Sequence, residues 1–287
     1  MTAEYVHGFA FIDSHVYYTE KGTAYLKEPG VSMMSKPYVE PMGMLPFLSG
    51  FKNEFDKYID DPVRLTDAEQ IVKQSGQLCY ASFSEKRTWN KDAGKYLGNI
   101  RKQGHGSVLE HANFSFLLWG ISRSVTHELV RHRSGMSYSQ ISQRYVDGEV
   151  LRFVERPEYQ EDENLHGLFE RRIDHIKECY EATGVALLHE MSENTLSGTE
   201  RRKAVNQAAR SVLPNETEAP IMVTGNVRAW RHILEMRCSP YADVEIRELA
   251  YRIYLCLVEV EPLLFADYRV VEMGDGTHCL ETDTPKV

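Results

Sequence analysis

The residues best able to do chemistry lie together in 131–145, which reads RHRSGMSYSQISQRY. Arg131, His132 and Arg133 come first, a hydroxyl-rich run from 134 to 142 follows, and Arg144 and Tyr145 close it. Arginine forks bind phosphate or carboxylate through two parallel bonds, and serine hydroxyls with loop N–H groups complete such a cradle. The same residues would also make a solvated basic turn between a helix and a strand, so the stretch alone does not fix a site. A second set lies downstream: Arg210 in ARSVLP, and Asn226, Arg228, His232 and Arg237 in GNVRAWRHILEMR. Arg228 and His232, four apart, share a helical face, as do Glu128 and Arg131, three apart; each pair is equally readable as a solvated surface.

Two histidine pairs invite a metal reading. In HELVRH, His127 and His132 are five apart. That is about 500° of helical rotation, so they diverge, whereas a zinc helix needs histidines four apart. In HGSVLEH, His105 and His111 read as parts of a helix-to-strand turn. The five cysteines, 79, 179, 238, 256 and 279, are scattered without a CxxC and read as reduced thiols of a cytoplasmic protein. No metal is expected. The net charge of −9 argues against general nucleic-acid binding, so the local cations point to a small anionic ligand. No apolar run reaches membrane-spanning length, and MTAEYVHGFAF lacks a signal pattern.

The elements that must position these residues follow from capping and periodicity. Residues 6–18 carry enough aromatic and β-branched residues for one or two strands, while 30–46, rich in Gly, Pro, Ser and Met, reads as loop. Thr66 and Glu69 have capping-box spacing for a helix, and a second helix spans 92–102, ending at Gly104. Residues 113–119 alternate as a strand, after which Ser122 caps a helix to Arg131. A strand is expected over 145–154 with a turn at Asp147-Gly148, a long helix over 165–196, another from Thr199 to Leu213, and a strand over 217–224. Asn226 and Asp243 cap the last two helices, and 274–287 reads as a frayed tail.

Arg-His-Arg followed by a serine-rich run and Ser-x-Arg-Tyr resembles the signature of flavin-dependent thymidylate synthases. That family spaces seven residues between Arg-His-Arg and Ser; here eight precede Ser142, and Gly135 is expected to absorb the extra one as a bulge. Ser107-x-x-Glu110-His111, the Arg210-x-x-Leu-Pro segment and the Asn226-x-Arg228 helix resemble further blocks, in the family's order. The likeness implies an α+β fold with a twisted antiparallel sheet flanked by helices, spanning 65–273 between an N-terminal extension (1–64) and a tail (274–287). It implies reductive methylation of deoxyuridylate (dUMP) to dTMP, with FAD as cofactor and 5,10-methylenetetrahydrofolate and NADPH as co-substrates, in a homotetramer whose sites draw on several subunits. By the same likeness dUMP would meet Glu128, Leu129, Val130, Arg131, Gln140, Ile141, Ser142, Gln143, Arg144, Arg210 and Arg237, the last being catalytic. FAD would meet Asn113, Arg131, His132, Arg133, Gln140, Asn226, Val227, Arg228 and His232. No cysteine is expected to act as nucleophile: Cys238 follows Arg237, but neighbours on a helix point about 100° apart.

Overall fold

The alternating run NFSFLLW forms the strand about which the main sheet is built. A computed structural model of the chain describes residues 2–6, 8–51, 55–146, 150–191 and 196–284. In chain order its strands and helices begin with β1 (Glu4–Val6), β2 (Phe9–Ile12), β3 (Val16–Tyr18), β4 (Ala24–Leu26), β5 (Gly30–Ser35), α1 (Leu45–Leu48), α2 (Asp67–Cys79) and α3 (Ala93–Lys102). The middle of the chain gives β6 (Asn113–Trp119), α4 (Arg123–Leu129), β7 (Met136–Gln140), β8 (Arg152–Val154), α5 (Pro157–Gln160), α6 (Glu163–Glu190) and α7 (Gly198–Ala209). The rest is β9 (Ile221–Asn226), α8 (Val227–Arg237), α9 (Val244–Val260), α10 (Pro262–Phe265), β10 (Arg269–Glu272) and β11 (His278–Glu281).

The six-stranded sheet runs β1-β2-β5-β6-β9-β7, every neighbour antiparallel, and the helices complete the α+β class. Phe114, Phe116 and Leu118 of β6 and Ile221 and Val223 of β9 point to one face, where they are fully buried with Trp230 of α8 and Ile253 and Leu257 of α9. The opposite face carries Ser115, Leu117, Trp119, Met222 and Thr224, all half-buried. A smaller sheet, β3-β4-β8, packs Tyr25 and Phe153 against Phe169 and Ile173 of α6.

The cap readings hold. Thr66 and Glu69 form the capping box of α2, and Ser122, Asn226 and Asp243 cap α4, α8 and α9. Four readings are corrected. Gly30–Ser35 is a central strand, not loop, so the N-terminal segment packs on the body by joining its sheet. Tyr145 and Val146 are in a turn, their amides donating to the Ser142 carbonyl, and the strand is only β8; the Asp147-Gly148 turn lies outside the described residues. The expected strand at 217–224 begins only after Pro220, which has no N–H for a ladder. Residues 274–281 of the tail complete a hairpin, β10 on β11: Cys279 and Leu280 are buried, the Leu280 amide donates to the Cys238 carbonyl at 2.8 Å, and Arg247 pairs with Asp275.

Gly30 makes β5 possible. It lies opposite Trp119, and a Cβ there would fall 2.0 Å from the indole ring. Gly30→Ala is therefore expected to destabilise the protein by about 2–3 kcal/mol, the upper range for overpacking a rigid neighbour. A thermal melt checks this; an unchanged midpoint would mean that β5 does not pack against Trp119.

Candidate functional site

Helix α4 has only seven residues, and its C-terminal carbonyls need partners beyond the helix. Two side chains from distant elements supply them. Arg237, in the last turn of α8, donates from Nη2 to the Glu128 carbonyl at 3.3 Å and from Nη1 to the Glu128 carboxylate at 2.7 Å. Tyr138 of β7 places its hydroxyl 3.0 Å from the Leu129 carbonyl and 2.6 Å from that of His132. Glu128 thus pairs with Arg237, 109 residues away, rather than with Arg131, which is exposed together with Arg133.

Arg237 also donates from Nε to His132 Nε2 at 2.8 Å. That nitrogen must present a lone pair, so the ring proton sits on Nδ1. Burial, the Arg237 cation and the neighbouring His232 ring, 5.3 Å away between centroids, push His132 down to about 4. At neutral pH the ring is an uncharged acceptor. Arg237 has five N–H groups, three of them used among the described residues; one remains on each terminal nitrogen, a two-pronged donor.

The turn after Arg133 explains the longer spacing. The Met136 amide donates to the Arg133 carbonyl at 3.3 Å, with Gly135 in the left-handed region at φ 69°. Gly135, where the extra residue is expected, thus sits in a turn just ahead of β7. A Cβ at Gly135 would fall 2.6 Å from Asn226 Nδ2, while the Asn226 amide donates to the Gly135 carbonyl. Asn226 Oδ1 caps α8 through the Ala229 amide, and Asn226 faces Asn113 across β9 and β6. Arg228 pairs with Glu110 at 2.6 Å on a half-exposed surface. Leu129 and Val227 are buried in the core, so toward a ligand they have only backbone to offer.

Beyond β7, Ile141 is fixed through its amide to the Pro220 carbonyl, and the chain turns at 142–146. Helix α7 meets this loop: Lys203 sits 5.0 Å from the Tyr145 ring centroid, and Asn206 donates to the Val146 carbonyl at 3.4 Å. Arg210 is the C-cap residue of α7 and opens a 3-10 turn that runs to Val212. A hydrogen bond from Lys203, with the charges of Lys203 and Arg144, lowers the Tyr145 phenol below its ordinary value. Gln140 Nε2, Gln143 Nε2 and Arg144 Nε are buried donors without a hydrogen-bond partner among the described residues. Buried donors require acceptors, and phosphate, pyrimidine and flavin oxygens are acceptors; the residues fit a nucleotide and a flavin.

The structure also brings in side chains that the sequence reading missed. Tyr138 lies on β7, a strand where the sequence showed only a hydroxyl-rich run, and Lys203 had no signal until α7 was placed. Cys238 is fully buried, its thiol 3.6 Å from the His278 carbonyl; burial pushes the thiol far up, and it points away from the guanidinium of Arg237 into the core.

Residues 63–263 match the model of a family described as thymidylate synthase complementing protein. A protein of Mycobacterium sp. (strain JLS) named flavin-dependent thymidylate synthase is 46% identical over 224 residues, which are 76% of this chain and 87% of that protein. One of the same name from Mycobacterium tuberculosis (strain ATCC 25177 / H37Ra) is 45% identical over 215 residues, 74% of this chain and 85% of that protein. Among solved structures, a UMP/dUMP methylase PolB from Streptomyces cacaoi, bound with 5-Br dUMP, superposes with a TM-score of 0.56 over 84% of this chain and 94% of that one; at 17% identity it bears on the fold alone. The Arg-His-Arg turn, the loop beyond β7 and the Arg237 helix all fall within the matched residues, and the chain belongs to the family of the flavin-dependent thymidylate synthases.

Proposed function

We propose that this protein is a flavin-dependent thymidylate synthase. It converts dUMP, 5,10-methylenetetrahydrofolate and NADPH with a proton to dTMP, tetrahydrofolate and NADP⁺; the folate gives the methylene carbon, and the pyrimidine C5 proton is lost. Bound FAD, once reduced by NADPH, would supply the hydride that completes the methyl group. The observation that carries the reading is Arg237, held between Glu128 and a neutral His132 with two N–H groups unspent.

We assign Arg237 to the pyrimidine, where its cation stabilises negative charge developing on the ring. A fixed donor of this kind is often the largest single catalytic contribution. The neutrality of His132 keeps a second cation from competing with it. Gln140, Ser142, Gln143, Arg144 and Arg210 are read as the nucleotide cradle, with Glu128, Leu129, Val130, Arg131 and Ile141 around it. Asn113, Arg131, His132, Arg133, Gln140, Asn226, Val227, Arg228 and His232 are read as the flavin side. Ser142 orients substrate; an unassisted serine is a weak nucleophile.

The assembly we read as a homotetramer. Its support is the half-buried outer face of the main sheet, with Leu117, Trp119 and Met222, and the edge position of β7, whose Gln140 donor is unsatisfied among the described residues. No described helix is long and apolar enough to cross a membrane. The free state of the five cysteines suits a reducing compartment, and we place the enzyme in the cytoplasm.

The purified protein is expected to absorb at about 450 nm through bound oxidised flavin and to release tritium from dUMP labelled at C5. Arg237→Ala should lose about a hundred-fold in kcat, as on removing a transition-state donor, whereas Cys238→Ala should keep most of its turnover. A folded, flavin-loaded but inactive Cys238→Ala protein would overturn the mechanism.

Arg210→Ala should weaken dUMP binding roughly ten- to a hundred-fold, the cost of one charge-assisted bond, and leave flavin retention intact. Equal loss of both ligands would sink the separate roles. Light scattering should give four chains per particle in solution; a monomer with full activity would refute the shared site.

A further inference from the structure

We infer that Tyr138 is a positioning residue for the reaction, its phenol fastening the Arg131–Arg133 turn so that His132 presents its acceptor to Arg237. The inference rests on the functional reading above and concerns a residue outside both proposed ligand sets.

The geometry is specific. On β7, Tyr138 faces the helix-covered side of the sheet, opposite Val223 of β9, and packs against the core. Its hydroxyl lies 2.6 Å from the His132 carbonyl and 3.0 Å from that of Leu129. Both are acceptors, so the single phenolic proton is shared between them and the hydroxyl can only donate there. The Leu129 carbonyl already accepts the His132 amide at 3.1 Å. His132 is thus held at both ends of its backbone: its amide by Leu129 and its carbonyl by Tyr138. Only the ring is left to adjust, and it meets Arg237. Burial raises the phenol to about 12, so it stays protonated and the bond persists across the working pH range.

Packing alone does not need the hydroxyl. A phenylalanine would fill the same space against Val223. What the oxygen adds is a link between two segments that must keep register. β7 leads into Gln140, Ser142 and Arg144; the turn after α4 carries His132 and abuts Arg237. Fixing the reacting constellation is where misplacement by a fraction of an ångström costs rate. The groups facing His132 are Arg237 and His232 from α8 and, through Arg237, Glu128 from α4.

Tyr138→Phe is the test, with three measurements on the flavin-loaded enzyme. Absorbance near 450 nm and the thermal midpoint should remain close to wild type. kcat should fall on the order of tenfold or more with the KM for dUMP nearly unchanged. His132 is ordinarily protonated near 6.5 and is held at about 4 here. If the loosened turn lets its ring reach water, its titration, followed by NMR without substrate, moves up toward 6.5, and the acid limb of kcat moves up with it. Tyr138→Trp, which overfills the site, separates packing damage, because it should lower the thermal midpoint. Wild-type kcat and an unmoved His132 titration in Tyr138→Phe would overturn the inference. So would a kcat loss matched by a fall in thermal midpoint with His132 unmoved, since that marks a structural role only. The titration reads the inference even if the wild-type protein makes no dTMP, in which case the functional reading alone fails.

Discussion

The open C-terminal end of α4 is the constraint on which the site depends. A helix of seven residues ends with carbonyls that must find donors. In most proteins a glycine, water or a following turn supplies them. Here the Arg131 and His132 amides of the following turn are joined by the guanidinium of Arg237 and the phenol of Tyr138, brought from α8 and β7. The negative end of the α4 dipole and the Glu128 carboxylate favour the cation at this spot. Arg237, the residue proposed to act on the pyrimidine, is therefore also bound to this helix end.

Such an arrangement works only if α8 cannot rotate. Arg231, one face away on α8 and 1% exposed, forks onto Asp267 at 2.7 and 2.8 Å and donates to the Leu264 carbonyl. Burial would raise the Asp267 carboxyl, but Arg231 and Arg101 hold it at about 2, so the pair stays charged well into acid. Removing one partner of such a buried pair leaves an uncompensated charge, which is costly. The interaction adds orientation more than net stability. Trp230 against Phe116, and the Asn226 cap below it, fix the other sides of the same helix. On α9, Arg252 does the equivalent, reaching Glu248 and Glu28 and the Pro29 carbonyl beside β5.

What could be read from the sequence was local chemistry. The four caps at Thr66, Ser122, Asn226 and Asp243 follow from one residue and its neighbours three places on. The alternation of β6 follows from period two. The arginines around the hydroxyl-rich run were visible as a cluster, but the stretch alone left a solvated basic turn equally open. The misreadings all concern partners distant in the chain. Glycine and methionine at 30–35 suggest loop until Trp119, from β6, is seen to need the space above Gly30. Glu128 has Arg131 one turn away, and the short-range rule pairs them; the fold instead delivers Arg237. Asp275 and Gly276 read as fraying, yet they close a hairpin because Arg247 and the Cys238 carbonyl wait on the body. The family match covers residues 63–263, while the main sheet takes in three strands that precede it, β1, β2 and β5.

Arg237 and Cys238 show how closely a helix can separate two tasks. Both are potential reagents for a pyrimidine: one a cation, the other a thiol that a neighbouring cation would activate. The 100° step between them sends the guanidinium to Glu128 and His132 and the sulfur under the C-terminal hairpin. There the Leu280 amide and His278 carbonyl close over it. A thiolate would be desolvated, and burial raises its cost instead of the cation lowering it. Proximity in sequence thus says nothing about activation. The proposed mechanism relies on electrostatics rather than covalent attack, and it requires that His132, placed between Arg237 and His232, stay neutral. If it carried a charge, Arg237 would lose an acceptor and gain a repelling neighbour. Burial and Arg237 itself set the low proton affinity on which that proposal depends.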